Sequence, residues 1–306
     1  MCTEGEGREN CNRNKTPKDT PEDTTSTNAR RLTGIRATRP LTEEDIPQLR
    51  EQWFQKYSDI LGGAPPELLP LQEVNHRIPL SDEGKRYTYH LPRCPGSLRQ
   101  QLSDKIQQYI GAGWWEMKST PQATPMLCIP KKNGKLRTIV DCRQWNDNTV
   151  KDVTPFPKQD RIRMDVTRAK YYSKFDLSNA YEQVQVELDD VWKMVFATIF
   201  GTFISQVMQQ GDCNAPVMFQ RLMTVTFCDQ LGRFIHTYLN NMFAYSNTIE
   251  EHEEHLDVVF ELLRKFRFYL EINKCNLYAE RMDCLRHIID NDGVHADADK
   301  MSRIRN

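Results

Sequence analysis

The feature that most constrains the fold is the stretch at residues 238–246, Tyr-Leu-Asn-Asn-Met-Phe-Ala-Tyr-Ser. It has a short apolar segment, a polar tip at Asn240 and Asn241, and a second apolar segment. Two β segments joined by a two-residue polar tip are typical of a hairpin. The tip of such a hairpin stands beside the neighbouring strand, so the chemistry that it supports depends on these two asparagines.

A single aspartate, Asp176, ends an apolar segment roughly sixty residues before the hairpin. Taken alone, it is most simply a solvated aspartate at a strand end. A strand-end aspartate beside two hairpin carboxylates, however, is one way to hold two divalent ions about 3.5–4 Å apart for nucleotidyl transfer. The pattern therefore predicts that Asp176 lies beside the amides of Asn240 and Asn241 at the hairpin.

The bulk composition describes a soluble globular protein of 306 residues, with 39% hydrophobic and 27% charged residues. No apolar run approaches the roughly 20 residues that span a bilayer, and there is no signal-peptide segment, so an intracellular location in cytoplasm or nucleus is expected.

Nine cysteines without a C-x-x-C pair argue against a disulfide framework and a zinc knuckle. The net charge of −1 means that any nucleic-acid footprint must be local.

Helical and strand patterns alternate in a mixed order, which predicts an α+β fold. Polar residues at 1 to about 31 predict a disordered tail. Thr42 is predicted to cap the first helix. Further helices are expected at 98–110, 214–228 and 250–266, and strands at 126–130, 136–140, 174–177, 200–207, 269–272 and 284–289.

Seven motifs, in one order over two hundred residues, resemble the fingers and palm of a gypsy-type LTR retrotransposon reverse transcriptase. They lie at 129–137, 140–146, 172–184, 214–223, 238–246, 273–275 and 285–294. The resemblance implies a right-hand polymerase fold, with a ferredoxin-like palm whose mixed or antiparallel sheet is backed by helices. It divides the chain into a disordered polar tail (1–40), an N-terminal helix and extended connection (41–97), part of the fingers (98–170), the palm (171–290) and the start of a truncated thumb or connection (291–306).

The resemblance also assigns roles residue by residue. Asp176 matches the first metal-binding aspartate, Asn240 and Asn241 stand where the family has two more, and Lys274 matches a lysine proposed to protonate the leaving pyrophosphate. Four residues match nucleotide-binding positions, namely Lys132, Arg137, Tyr181 and Gln210. Three match the primer grip, namely Leu285, Arg286 and His287. From the residues alone, Tyr181 fits a buried core tyrosine equally well, and Lys132 and Arg137 also fit an exposed charged turn.

Several departures from the family pattern predict impaired catalysis. An amide oxygen ligates a hard cation but brings no charge, and a unit charge at 4 Å is worth roughly 4 kcal/mol at an effective dielectric of about 20. We therefore expect weak binding of Mg²⁺ or Mn²⁺. Arg286 replaces a glycine, which is unfavourable if the backbone needs a positive φ. Glu182 replaces a common histidine, and Asp212 and Cys213 match neither known form of their loop.

The partners implied by the resemblance are an RNA or DNA template–primer and a deoxynucleoside triphosphate, with no membrane. Two alternatives to an impaired polymerase remain open at this point. One is a non-catalytic module that binds nucleic acid or protein through the basic fingers hairpin. The other is a functionless transposon remnant.

Three further patterns are interpreted as structural. His252 and His255 lie among acids but lack the H-E-x-x-H spacing of a zinc site, so they are predicted to belong to a solvated helix N-terminus. Trp114 and Trp115 follow a helix end and are predicted to pack in a core rather than to stack on bases. Asp141 and Arg143 are predicted to pair and support the fingers.

Overall fold

A computed structural model describes residues 41–87, 90–131, 133–290 and 292–296. The predicted disordered tail at 1–40, most of the segment 291–306 and Lys132 lie outside these residues. Among the residues described, no helix is long and apolar enough to cross a membrane.

Helices and strands alternate along the described chain, which confirms the α+β prediction. The helices are α1 (Ile46–Lys56), α2 (Ser58–Leu61), α3 (Arg99–Gly111), α4 (Arg143–Asn148), α5 (Gln159–Thr167), α6 (Ala215–Thr226) and α7 (Ile249–Lys265). The strands are β1 (Trp115–Met117), β2 (Thr124–Pro130), β3 (Leu136–Val140), β4 (Tyr171–Asp176), β5 (Val195–Thr198), β6 (Gly201–Ser205), β7 (Ile235–Tyr238), β8 (Asn241–Ser246), β9 (Asn276–Ala279), β10 (Arg281–Cys284), β11 (His287–Asp290) and β12 (Gly293–Ala296).

The palm sheet has four antiparallel strands in the order β7-β8-β4-β9. Its central strands β4 and β8 are mostly buried on both faces. Phe175 and Phe243, which point to opposite faces, are fully buried. The stripe of α7 that carries Leu256, Val259 and Phe260 packs in the same core as Phe175. Burial of this apolar stripe is the main stabilisation of a helix of this kind.

The fingers sheet has five strands in the order β1-β6-β5-β2-β3, with one parallel pair between β2 and β5. It takes β5 and β6 from the segment 171–290, so a boundary at residue 170 does not separate the two sheets. Helix α3 packs on it through Leu102, Ile106 and Tyr109. Trp114 and Trp115 are buried in this core, 3% and 2% exposed, as predicted.

A third sheet is the meander β10-β11-β12. The ion pair between Lys174 Nζ and Asp283 Oδ2, 3.0 Å apart, joins β10 to β4 of the palm. The strand predicted at 269–272 is wrong. Only single bridges form there, Leu177 with Leu270 and Gly62 with Glu271, because the chain turns at once into the 3-10 turn Ile272–Lys274.

Candidate active site

Asp176 is the last residue of β4 and lies beside the hairpin formed by β7 and β8. Its register partner across the sheet is Asn241, and the Leu177 amide donates to the Asn240 carbonyl oxygen at 3.2 Å. The side chain of Asp176 is 12% exposed. The fold therefore brings Asp176, Asn240 and Asn241 together, as the sequence predicted.

The turn of the hairpin is formed by Leu239 and Asn240 rather than by the two asparagines. Tyr238 pairs with Asn241 across the ladder, so Asn241 already belongs to β8. Leu239 adopts a φ of +53°, and its amide donates to Gln220 Oε1 on α6 at 2.8 Å. The prediction of an Asn-Asn tip is thus wrong by one residue, because a contact from α6 holds Leu239 in a conformation that its own preference disfavours.

Both carboxylate oxygens of Asp176 have partners. Asn240 Nδ2 donates to Oδ2 at 3.2 Å, and Lys274 Nζ lies 3.1 Å from Oδ1. Asn241 Nδ2 in turn donates to Asn240 Oδ1 at 3.2 Å. These four side chains form one connected polar network, which we call the Asp176 network.

The Asp176 network does not fit a pair of divalent ions. It offers one carboxylate, already balanced by an ammonium, and one of its two amide oxygens is occupied by a neighbouring amide. Throughout the described part of the chain, no group of three or more histidine, cysteine or acidic side chains is placed to hold a metal ion. Two-metal sites need several carboxylates to offset the ionic charge.

Tyr181 lies on the 3-10 turn Ala180–Gln183, which follows Asn179 with a φ of +45°. Its half-buried ring is 5.7 Å from that of Phe219 on α6. Burial, with the adjacent Glu182, raises the pKa of its hydroxyl. The ring thus packs on the palm core while part of it stays accessible, and its predicted role as a nucleotide gate stays a prediction.

Arg137 and Gln210 come together on the fingers, with Arg137 Nε donating to Gln210 Oε1 at 3.3 Å. The Gln210 carbonyl also accepts from the Val140 amide at 3.0 Å. The next residue, Gly211, has a φ of +127°, and a Cβ there would lie 2.1 Å from the Val140 carbonyl oxygen. Only glycine allows the loop to approach β3 this closely.

Asp212 and Cys213, which match no family form, have structural partners here. Asp212 is buried, accepts from the Asn214 amide at 2.7 Å and lies 3.4 Å from His76 Nε2. Burial opposes its charge, but His76 and the backbone amides outweigh that effect and lower its pKa. The Cys213 amide donates to Asn146 Oδ1 at 2.9 Å. An aspartate side chain often accepts from the backbone amide two residues further on, and this tendency could have revealed the turn at Asp212 from the sequence.

Leu285 and Arg286 form the two-residue turn between β10 and β11, with φ values of +50° and +69°. The backbone at Arg286 therefore has the left-handed conformation for which glycine is better suited. His287 Nδ1 lies 3.3 Å from the Leu285 carbonyl oxygen. Among the described residues, no hydrogen bond or ion pair joins these three residues to Asp176, so their role as a primer grip stays a prediction.

Asp141 and Arg143 form the predicted pair. The guanidinium donates twice to the carboxylate, at 2.7 and 2.6 Å, and it lowers the pKa of Asp141. The Arg143 side chain is highly exposed, so the pair adds little to stability.

The prediction for the two histidines on α7 is wrong for His252, which is fully buried. Its Nε2 lies 2.7 Å from Ser173 Oγ and its Nδ1 lies 2.8 Å from Ser246 Oγ. Burial, and then the neighbouring His255, lower its pKa to about 3. The sequence hides this role because both serines come from strands of the palm sheet.

Comparisons with known proteins agree with this geometry. The reverse transcriptase (RNA-dependent DNA polymerase) family matches residues 129–289. The chain is 24% identical over 268 residues to the Retrovirus-related Pol polyprotein from transposon opus of Drosophila melanogaster, covering 86% of this chain and 26% of that protein. It is 24% identical over 262 residues to the Transposon Tf2-7 polyprotein of Schizosaccharomyces pombe, covering 82% and 19%. The chain thus spans about a quarter or less of the length of these relatives.

Two solved structures share the fold. The foamy viral protease-reverse transcriptase in complex with dsDNA matches with a TM-score of 0.70 and 21% identity, over 87% of this chain and 55% of that one. The same type of protein in complex with RNA/DNA hybrid matches with a TM-score of 0.72 and 19% identity, over 87% and 36%. These likenesses confirm the predicted fingers-and-palm fold.

The family match covers more than half of the chain, from the fingers strands to the third sheet. It includes Asp176, the hairpin and Lys274, and it confirms the resemblance predicted from the motifs. Reverse transcriptases as a family use divalent metal ions. The chain belongs to the reverse transcriptase (RNA-dependent DNA polymerase) family.

Proposed function

We propose that this chain is the fingers-and-palm part of a gypsy-type retrotransposon reverse transcriptase whose polymerase chemistry is strongly impaired. The observation that carries the proposal is the Asp176 network, in which one carboxylate remains and both of its oxygens are engaged by Asn240 and Lys274. The reaction of the family is template-directed addition of deoxynucleotides to a primer, with Mg²⁺ or Mn²⁺. Metal binding by this chain is weak in the proposal, because two ligand charges are missing.

The proposed partners are an RNA or DNA template–primer and a deoxynucleoside triphosphate. The similar foamy viral proteins were solved with dsDNA and with RNA/DNA hybrid. In the proposal, Arg137, which donates to Gln210 on the fingers, binds the triphosphate. A guanidinium is well suited to this task, because it binds phosphate oxygens in a bidentate manner.

The proposal keeps the predicted segments 41–97, 98–170, 171–290 and 291–306, with β5 and β6 contributing to the fingers sheet. It includes an intracellular location, in cytoplasm or nucleus, since the proposed deoxynucleotide substrates are intracellular metabolites.

Primer extension tests the proposal directly. The chain as it stands and Asn240→Asp/Asn241→Asp are compared on a template–primer with Mg²⁺ or Mn²⁺. We expect the restored chain to extend primer at least about 100-fold faster, because each regained charge next to a divalent ion is worth several kcal/mol at low effective dielectric. Adding Asp176→Asn to the restored chain is the matched control and should abolish the gain.

Efficient extension by the unmodified chain would contradict the impairment.

A second candidate function, a non-catalytic nucleic-acid-binding module, is favoured by the five-stranded fingers sheet and its Arg137–Gln210 pair. It predicts a salt-dependent affinity for template–primer in the same samples, without incorporation by either variant.

A further inference from the structure

We propose that Lys274 is an internal counter-ion of Asp176, which takes the electrostatic place of a metal ion and makes the Asp176 network selective against divalent cations. This inference rests on the proposed function, since it concerns the same site. It adds a role that the resemblance does not assign to Lys274. In that role the ammonium is held by a carboxylate rather than left to serve a leaving group.

The backbone positions Lys274 for this contact. Lys274 ends the 3-10 turn Ile272–Lys274, and its amide donates to the Glu271 carbonyl oxygen at 2.8 Å. The Glu271 amide donates in turn to the Asp176 carbonyl oxygen at 3.0 Å. The turn is therefore fastened to the same residue whose carboxylate its lysine binds. This arrangement reduces the entropy that the side chain loses when it forms the ion pair.

Asn240 complements this arrangement. Its amide nitrogen donates to the second carboxylate oxygen of Asp176, so the network is satisfied with a formal charge of zero. An aspartate at 240 would bring a second carboxylate to within about 3.2 Å of the Asp176 carboxylate. These two carboxylates would need a cation in addition to Lys274. The amide removes that need, while Lys274 supplies the one positive charge that Asp176 requires.

Other charged groups nearby are engaged elsewhere. The Glu271 carboxylate accepts from Asn273 Nδ2 at 3.4 Å. Lys174, two residues before Asp176 on β4, pairs with Asp283 on β10. Because side chains alternate along a strand, Lys174 shares the face of Asp176, yet its ammonium is directed to another sheet. Lys274 is thus the cation that the described part of the chain places on Asp176.

A divalent ion that enters this network must displace the Lys274 ammonium from Asp176. In the chain as it stands, the ion would gain one carboxylate ligand, and the ion pair between Lys274 and Asp176 would be lost. In Asn240→Asp/Asn241→Asp, three carboxylates outweigh one ammonium, and the lysine becomes a competitor of the ion. Removing the lysine charge should then increase the affinity for the ion in both backgrounds, and more clearly in the restored one.

The test uses Mn²⁺ as the probe and measures free Mn²⁺ by its electron paramagnetic resonance signal, without any turnover. Four chains are titrated, namely the unmodified chain, Lys274→Met, Asn240→Asp/Asn241→Asp, and the combination of all three changes. We expect the combined variant to bind Mn²⁺ about 10-fold more tightly than the double variant, an effect kept modest by the 58% exposure of the Lys274 side chain. The unmodified chain should be the weakest binder.

Lys174→Met in the restored background is the matched control, because it removes a lysine charge from the same strand face without removing the partner of Asp176. It should change the Mn²⁺ affinity by less than about 3-fold. Thermal unfolding of each variant checks that it is folded. Lys274 is largely exposed, so Lys274→Met leaves the core intact.

Equal Mn²⁺ affinity of the double and combined variants would overturn the counter-ion role, and so would an equal gain from Lys174→Met. Neither result bears on whether the chain extends primers. Conversely, efficient extension by the unmodified chain would contradict the proposed function while the Mn²⁺ titrations still reported on Lys274. The two failures are therefore distinguishable.

Discussion

The two ends of strands β4 and β8 differ in what their polar groups do. At one end, Asp176 and Asn241 face each other at the sheet edge, within a network that is partly open to solvent. Towards the other end, Ser173 in the middle of β4 and Ser246 at the end of β8 enclose the buried ring of His252. The same pair of strands thus carries the candidate chemistry at one end and a sealed hydrogen-bond network at the other.

At the sealed end, one assignment of the hydroxyl and imidazole protons gives every contact in the chain from Tyr278 to His255 a donor and an acceptor. The Tyr278 amide donates to Ser173 Oγ at 3.0 Å, and the Ser173 hydroxyl donates to His252 Nε2. His252 Nδ1–H then donates to Ser246 Oγ, whose hydroxyl donates to His255 Nδ1 at 2.7 Å. Such a network is costly to break, because each buried group left without a partner loses its full desolvation energy.

The difference teaches that fold and chemistry rest on separate groups of residues in this sheet. At the open end, the amides at 240 and 241 leave Asp176 paired, because Asn240 donates to Asp176 where a carboxylate at 240 could only accept. A comparable change at the sealed end would remove partners that water cannot replace. The register and packing of these strands therefore do not depend on which polar side chains stand at the open end.

The largest expected effect comes from His252→Ala. We expect the free energy of unfolding to fall by about 3 kcal/mol, because the change leaves a cavity and removes a partner from both serines. Urea denaturation measures this loss. Asn240→Ala at the open end is the comparison and should cost less than about 1 kcal/mol, since its amide is partly solvated. Equal losses in the free energy of unfolding for His252→Ala and Asn240→Ala would contradict the difference between the open and the sealed end.

A pH series gives the next largest effect. Burial lowers the pKa of His252 to about 3 in the folded protein, from the 6.5 of an ordinary imidazole, so the unfolded state binds more protons than the folded state between these two pH values. The contribution of His252 to the free energy of unfolding is complete above pH 6.5. It falls by about 1.4 kcal/mol for each pH unit between the pKa of the unfolded state and that of the folded state.

Denaturation at pH 7.5, 6.0 and 5.0 measures this slope. His252→Gln should flatten it, while other titrating groups such as Asp212 contribute equally to both chains. An unchanged slope in His252→Gln would mean that His252 is not the buried neutral group that the structure describes.

The smallest effect is expected at Arg286, on the turn of the third sheet. Its φ of +69° is unfavourable for a residue with a Cβ. Arg286→Gly should raise the free energy of unfolding by about 0.5–1 kcal/mol, after the greater freedom of glycine in the unfolded chain is subtracted. Thermal unfolding measures the gain. Arg281→Gly, on the neighbouring strand β10, should be destabilising instead, and a gain in both variants would argue against backbone strain as the cause.

The sequence predicted the long elements better than the short ones. Helices α3, α6 and α7 lie within a residue or two of their predicted bounds, because their apolar stripes repeat over several turns. The short strands β5, β9 and β10 and the helices α4 and α5 were not predicted. Four to nine residues carry too little periodicity to identify an element, and partners distant in sequence stabilise these segments.

The candidate site was predicted only in part. The motifs brought Asp176, Asn240 and Asn241 together correctly, and Arg137 and Gln210 do lie side by side. The ion pair of Lys274 with Asp176 and the pairing of His76 with Asp212 were not predicted. Both pairs join segments about a hundred residues or more apart, and no local pattern records which of several charged residues will meet.

The sequence by itself determined the family, the order of the elements and the presence of amides at 240 and 241, because these depend on local patterns and on residue identity. Only the tertiary structure decided that Leu239 occupies the hairpin turn, that His252 is sealed in the palm and that Lys274 neutralises Asp176. The physical reason is that burial and pairing are properties of three-dimensional neighbours. The partner of the Asp176 carboxylate is a lysine 98 positions away in the sequence.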